Sequence, residues 1–233
     1  MSKPIVAAVA RYRFSRLLKN VFFCSSELRA NQINDNVDPR SLRLVWIDCE
    51  MTGLDVNTKH LLEVACIITE GDPGLNIVAK GPNLVIHQSE KVLEEMDEWS
   101  AIQHKKSGLT EEVRNSTVTV EEAEEQLLQF VKSHTPEQTC PLAGNTCGQD
   151  RVFLKKCMPK LVDHLHYRNV DVSSFKEMCR RLYPSVLSNL PKEKRSHRAM
   201  DDIQESREEM LHYIKHLFPN TNDIVCGDGE KNQ

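Results

Sequence analysis

Leu42-Arg43-Leu44-Val45-Trp46-Ile47-Asp48-Cys49-Glu50-Met51-Thr52-Gly53 is the stretch that decides the fold. From Leu42 to Glu50 it is apolar and rich in β-formers, which predicts a strand. Side chains alternate along a strand. Asp48 and Glu50 therefore share one face, while Ile47, Cys49 and Met51 point the other way into a core. Two acids on one face of an apolar strand repel each other, and are unfavourable unless something cationic sits between them. A divalent metal meets that need, although D-x-E spacings also arise by chance among 34 acids.

Downstream, Glu63 to Thr69 and Leu75 to Ala79 continue the strand pattern, with Gly71-Asp72-Pro73-Gly74 as the turn between them. Asn83 to His87 extends the third strand after Gly81-Pro82. The period then becomes helical over Ser89 to His104 and over Val120 to His134, where Val120, Ala123, Leu127, Leu128 and Val131 recur on one face. Thr119 is placed to cap the second helix, and the acid run Glu121 to Glu125 reads as its solvated face. A short strand from Cys140 to Gly144 leads into a helix from about Asp150 to Met158. A further strand, Arg168 to Val172, leads into a helix from Ser174 to Tyr183, and a last helix runs from Arg198 to Phe218. Three antiparallel strands followed by alternating helices and strands predict an α/β layered domain with a mixed sheet.

Composition agrees. The chain has 233 residues, 39% apolar and 27% charged, enough for a core. Its longest apolar run, Ile5 to Ala10, is far short of the ~18 residues a membrane span needs. The eight cysteines include no C-x-x-C and read as free thiols in a reducing compartment. Residues 1–26 carry five cations and no acid, interleaved with apolar residues. That is the pattern of a cleavable organelle transit peptide, with a short basic arm as the alternative. Residues 27–40 read as a linker, 41–218 as the folded domain and 219–233 as a polar tail. Without the five cations of the head, 25 basic face 34 acidic side chains, a net of −9. Such a body argues against a broad groove for long nucleic acid. It leaves room for a small anionic substrate bound through cations.

Two further segments carry chemistry. In Ala143-Gly144-Asn145-Thr146-Cys147-Gly148-Gln149-Asp150 an apolar strand ends at a glycine and Asp150 opens a helix; taken alone, it is an ordinary first-turn acid. In Ser196-His197-Arg198-Ala199-Met200-Asp201-Asp202-Ile203, His197 and Asp202 would lie about 140° apart on one regular helix. They reach a common centre only if His197 lies on the loop before the helix and Asp202 on its first turns, with Asp201 facing outward. A loop-borne histidine beside a carboxylate suits proton abstraction from water, though capping or solvation is the commoner role for a lone histidine.

The order D-x-E on a strand, then strand-Gly-Asn-helix-Asp, then His-x4-Asp at a final helix resembles the DEDDh exonucleases of the RNase H-like superfamily. WIDCEMTGLD, PLAGNTCGQDRVFL, HLHYRNVDVSS and SHRAMDDI resemble its oligoribonuclease branch, over about residues 42–216. With the basic head the resemblance is to that branch's mitochondrial form, which implies a mitochondrial transit peptide over residues 1–26. The resemblance implies an RNase H-like fold with a mixed five-stranded sheet flanked by helices. It implies two divalent cations, Mg2+ or Mn2+, held by Asp48, Glu50, Asp150 and Asp202, with His197 as general base. It also implies release of nucleoside 5′-monophosphates from the 3′ end of very short RNAs, chiefly dinucleotides. Leu54 matches an apolar wedge between the last two bases. Trp99 and His104 match residues that contact a base or the scissile phosphate, and Thr146 and Ser173 match phosphate contacts. Thr146 stands where members commonly carry serine, which keeps the hydroxyl and adds a methyl. Tyr167 and Arg168 match a pair donated by a second subunit, which implies a homodimer with a shared site. From the residues alone, Leu54 and Trp99 are ordinary packing residues. Two other functions stay open at this point: a DEDDh exonuclease acting on DNA or longer RNA 3′ ends, and a non-catalytic RNase H-like module that binds RNA. The full set of acids speaks against the second.

Overall fold

In the computed structural model, residues 38–190 and 196–218 are described. The basic head, most of the linker (27–37) and the tail from 219 lie outside them. A five-stranded sheet in the order β3-β2-β1-β4-β5 organises the domain. Its strands are β1 (Leu44–Met51), β2 (Leu61–Thr69), β3 (Ile77–Val85), β4 (Pro141–Gly144) and β5 (His166–Asp171). β1, β2 and β3 pair antiparallel, while β4 and β5 run parallel to β1. This is the mixed five-stranded sheet that the sequence predicts.

β3 is continuous through Gly81-Pro82, and its pairing with β2 slips between Ala65 and Ile67. A bulge at an edge strand is where a proline is tolerated, because no ladder bond is lost. At Gly81 a Cβ would stand 2.5 Å from the Phe130 ring and 2.9 Å from the Cys66 carbonyl, so only glycine fits.

The helices are α1 (Glu90–Glu94), α2 (Glu98–Ser107), α3 (Leu109–Asn115), α4 (Val120–His134), α5 (Gly148–Cys157), α6 (Pro159–His164), α7 (Val172–Leu182), α8 (Pro184–Leu187) and α9 (Ala199–Leu217). The single helix expected over Ser89 to His104 is broken at Asp97. The Asp97 amide donates to the Thr52 carbonyl (2.9 Å), and the carboxylate pairs with Lys59 (2.6 Å), so tertiary bonds outweigh helix continuation there. Gly108, at φ +82°, separates α2 from α3. Thr119 and Glu122 form a reciprocal capping box at the start of α4. Within the acid run on α4, Glu124 departs from expectation. It is buried and accepts from the Lys160 and Leu161 amides (2.6 and 3.3 Å), neutralising the start of α6.

The sheet separates two apolar layers. Val45, Ile47 and Cys49 pack with Leu127, Phe153 and Leu161 on the side of α4, α5 and α6. Leu44 and Trp46 pack with Ala143, Cys179, Ile203 and Tyr213 on the side of α7 and α9. Strand alternation thus puts Asp48 and Glu50 on the α9 face, at the end of β1 where packing gives way to a cleft. The six described cysteines are all free thiols.

Candidate active site

β1 carries two acids and distant elements bring the rest. Asp150, in the first turn of α5, is buried, and its Oδ1 accepts from the Cys49 amide at 3.0 Å, between Asp48 and Glu50 along β1. Asp202 sits in the first turn of α9, and Asp201 beside it is exposed. His197 lies on the loop before α9, as the 140° argument requires, at φ +52°. A non-glycine residue in that region costs about 1–3 kcal/mol, so its surroundings must hold it there. Ligand atoms of Glu50, His197 and Asp202 lie within 4.8 Å of one another.

The electrostatics of the cluster are those of acids awaiting a counter-charge. Burial pushes the Glu50 carboxyl up to about 8, with Asp202 and Glu63 adding to the shift. Burial likewise lifts Asp150 to about 7. Asp202 rises to about 7 through burial and the charges of Glu205 and Asp201. Asp48 is raised well above the carboxylate range by burial and by Asp150, Glu50 and Asp202. Hard oxygen donors that hold each other protonated in one cleft fit a divalent cation, which favours their charged forms and removes the repulsion.

A stability prediction follows. Each of these acids binds its proton more tightly folded than unfolded, so without metal stability falls as pH rises toward 8. In EDTA the thermal midpoint is expected to drop by roughly 5 °C between pH 6.5 and 8. Mn2+ should raise it more at pH 8 than at pH 6.5, because at low pH the cation competes with protons. Calorimetry at the two pH values with and without Mn2+ checks this; a midpoint that rises with pH in EDTA would contradict it.

The cleft has a volume of about 180 Å³. Asp48, Asn145, His197 and Asp202 line it, joined by Glu205, Ser206 and Glu209 from the next turns of α9. Those last three escaped the sequence reading, yet Glu205 and Glu209 follow Asp202 at i+3 and i+7, the spacing of one helical face. Glu209 is tied down by the Asn145 amide (2.9 Å), the Tyr213 hydroxyl (2.6 Å) and Lys176 (3.3 Å).

Around the cleft, Leu54 is 70% exposed on the loop after β1. Gln149 holds that loop by donating to the Leu54 carbonyl (2.6 Å). Its Gly53 has no room for a Cβ, which would stand 2.1 Å from Asp97 Oδ2. Trp99 is 61% exposed and meets the His197 ring edge-on, centroids 5.2 Å apart. Thr146 is exposed at φ +58°, an unfavourable backbone for a β-branched residue, with its amide donating to Asp171 Oδ1 at 3.0 Å. The Ser173 hydroxyl donates to the same oxygen at 2.6 Å.

His104 is placed differently from the sequence expectation. It is 1% exposed, so it offers no surface to a base. Its Nε2 donates to the Met51 carbonyl (3.0 Å), and its Nδ1, without a hydrogen-bond partner, faces Glu50 at 3.8 Å. It backs the acid instead of lining the cleft. Tyr167 and Arg168 are not among the residues that line the cleft, and their strand lies two places from β1 in the sheet. Both are exposed on the edge strand β5, with the guanidinium 5.3 Å from the Tyr167 ring centre. The strand is anchored from α5 by Arg151, which donates to Asn169 Oδ1 and the His166 carbonyl, each at 2.7 Å.

Comparison with known proteins agrees with this geometry. The exonuclease family model RNase_T matches residues 45–210. A mitochondrial oligoribonuclease of Bos taurus is 44% identical over 229 residues, covering 93% of this chain and 96% of that protein. A probable oligoribonuclease of Dictyostelium discoideum is 52% identical over 182 residues, covering 78% of this chain and 94% of that one. The crystal structure of E. coli exonuclease I bound to a dT13 oligonucleotide shares the fold at TM-score 0.59 and 13% identity, over 78% of this chain; the chain spans 43% of that longer protein. The strand acids, the helix-borne Asp150 and Asp202, the loop histidine and these relatives together place the chain in the exonuclease family, in its oligoribonuclease branch.

Proposed function

We propose that this chain is a 3′-to-5′ exoribonuclease that hydrolyses very short oligoribonucleotides, chiefly dinucleotides, to nucleoside 5′-monophosphates. The observation that carries the reading is the meeting of Glu50, Asp202 and His197 within 4.8 Å, with Asp48 and Asp150 beside them. Asp48, Glu50, Asp150 and Asp202 would hold two divalent cations, Mg2+ or Mn2+. When bound, such cations neutralise the phosphodiester, acidify water and stabilise the departing oxygen. His197 takes the proton of the attacking water at a ring nitrogen. The new bond joins that water's oxygen to phosphorus, and the bond broken is the one from phosphorus to the 3′ oxygen of the preceding nucleoside.

Leu54 and Trp99 present apolar and aromatic surface at the cleft, suited to stacking on bases whatever their identity. Thr146 and Ser173 would contact phosphate through their hydroxyls, the second by turning its proton from Asp171 to the phosphate oxygen. The place of Tyr167 and Arg168 outside the lining of their own cleft supports a homodimer, in which each pair caps the partner's substrate at its 5′ phosphate. A wall there disfavours longer chains. The mitochondrial name of the bovine relative, with the acid-free head, supports a mitochondrial location.

The test is a 5′-labelled RNA dinucleotide, a ~20-mer RNA and the matching DNAs, each with Mg2+ or EDTA. Metal-dependent cleavage confined to the dinucleotide is expected. Equal rates on long RNA or DNA would shift the reading to a general DEDDh exonuclease, and no turnover would shift it to a binding module. In the same assay Tyr167→Ala should raise KM for the dinucleotide at least ~10-fold, given the worth of one stacked base. Sedimentation should find the variant still dimeric; an unchanged KM would refute the shared site.

A further inference from the structure

Behind the loop that carries His197 lies a charged clamp that the chemistry above does not use. Glu63 of β2 is 0% exposed and is the register partner of Glu50 across the sheet. Arg198, the residue after His197, grips it with Nε at 3.2 Å and Nη2 at 2.9 Å. The same guanidinium reaches Glu112 of α3 at 2.8 and 2.7 Å. Glu63 Oε2 also accepts from the Ala199 amide at 3.1 Å, and so supplies the cap that α9 does not draw from its own N-terminal residue. Three elements thus converge on one residue of the loop: the sheet, α3 and the start of α9.

Two features give the clamp a task. His197 sits at φ +52°, a conformation that persists only where the surroundings over-determine it. The Trp99 ring meets the His197 ring edge-on at 5.2 Å but is itself 61% exposed, too open a surface to hold a strained loop by itself. Behind it, the backbone is pinned at the very next residue. A planar fork in a fixed bidentate pair sets direction as well as distance, which a flexible ammonium does not.

We propose that Arg198 and Glu63 are positioning residues that hold His197 at the distance and angle from which it takes the proton. This rests on His197 being the general base. Substituting the Arg198 side chain leaves Asp202 seated, because the Arg198 carbonyl still accepts from the Asp202 amide at 3.0 Å, Glu63 still accepts from the Ala199 amide, and Ala199 and Ile203 stay buried.

The test is a double-mutant cycle on the full chain, using a 5′-phosphorylated RNA dinucleotide and Mn2+. Arg198→Ala should lower kcat about 10- to 100-fold, the scale of an ångström misplacement. KM and Mn2+ affinity should stay within about twofold. In a His197→Ala background the same change should alter kcat by less than about twofold, since a residue acting only through His197 has nothing left to position. Guanidinium ion should restore part of the kcat of Arg198→Ala and none of that of the double variant. Arg198→Lys, which keeps the charge over Glu63 and loses the fork, should show the same pattern more weakly, and serves if Arg198→Ala does not fold. Multiplying losses in the double variant, or a loss of Mn2+ binding in either Arg198 variant, would overturn the clamp. A His197→Ala enzyme with wild-type kcat would instead overturn the general-base reading, a separate and recognisable outcome.

Discussion

Asp202→Ala is expected to lower kcat at least ~1,000-fold while leaving the protein folded and, without metal at pH 8, slightly more stable. The first effect follows from its place against Glu50 and His197. A carboxylate that would hold a cation at the reacting phosphate supplies several kcal/mol of charge stabilisation, and alanine supplies none. The second follows from electrostatics. Burial and the neighbouring Glu205 and Asp201 lift the Asp202 carboxyl to about 7, so its ionised form is disfavoured by the fold. Removing it relieves repulsion on Glu50, for which Asp202 is the foremost charged cause of its own shift. Single-turnover kinetics and thermal melts in EDTA at pH 8 measure both effects. An unfolded variant would make Asp202 a structural residue, and near-wild-type turnover would remove it from the site.

His197→Ala carries the second large effect, a fall in kcat of about 100- to 10,000-fold, the usual contribution of a positioned base. KM and Mn2+ affinity are expected to hold, because the four acids remain. The residual rate should climb with pH, as hydroxide substitutes for the water that His197 would have deprotonated. The ring's distance to Glu50 and Asp202 also suits a metal ligand, and the same experiment distinguishes that role: loss of Mn2+ binding on substitution would make His197 a ligand instead.

Most of the chemistry was legible in the primary structure because it depends on local periodicity. The two-residue repeat of β1 places Asp48 and Glu50 together and opposite Ile47 and Cys49, and the core clusters divide along that line. Helical geometry alone requires His197 to precede α9 if it and Asp202 are to meet, and α9 begins two residues after it. The Thr119 cap and the turn before β3 are local in the same sense.

What the chain hides are partners chosen across the fold. Asp150 reads as a plain first-turn acid until the parallel pairing of β1 and β4 brings it onto the Cys49 amide, 101 positions away. Arg198 and Glu63 are separated by 135 positions, and nothing near either one announces the pair. His104 and Trp99 share a short helix and look equally available, yet packing buries one behind Glu50 and leaves the other beside His197. Sequence period determined which side each of these residues faces. Only strand register and helix docking decided what stands opposite, because those are settled by the burial of the whole sheet and not by any neighbour along the chain.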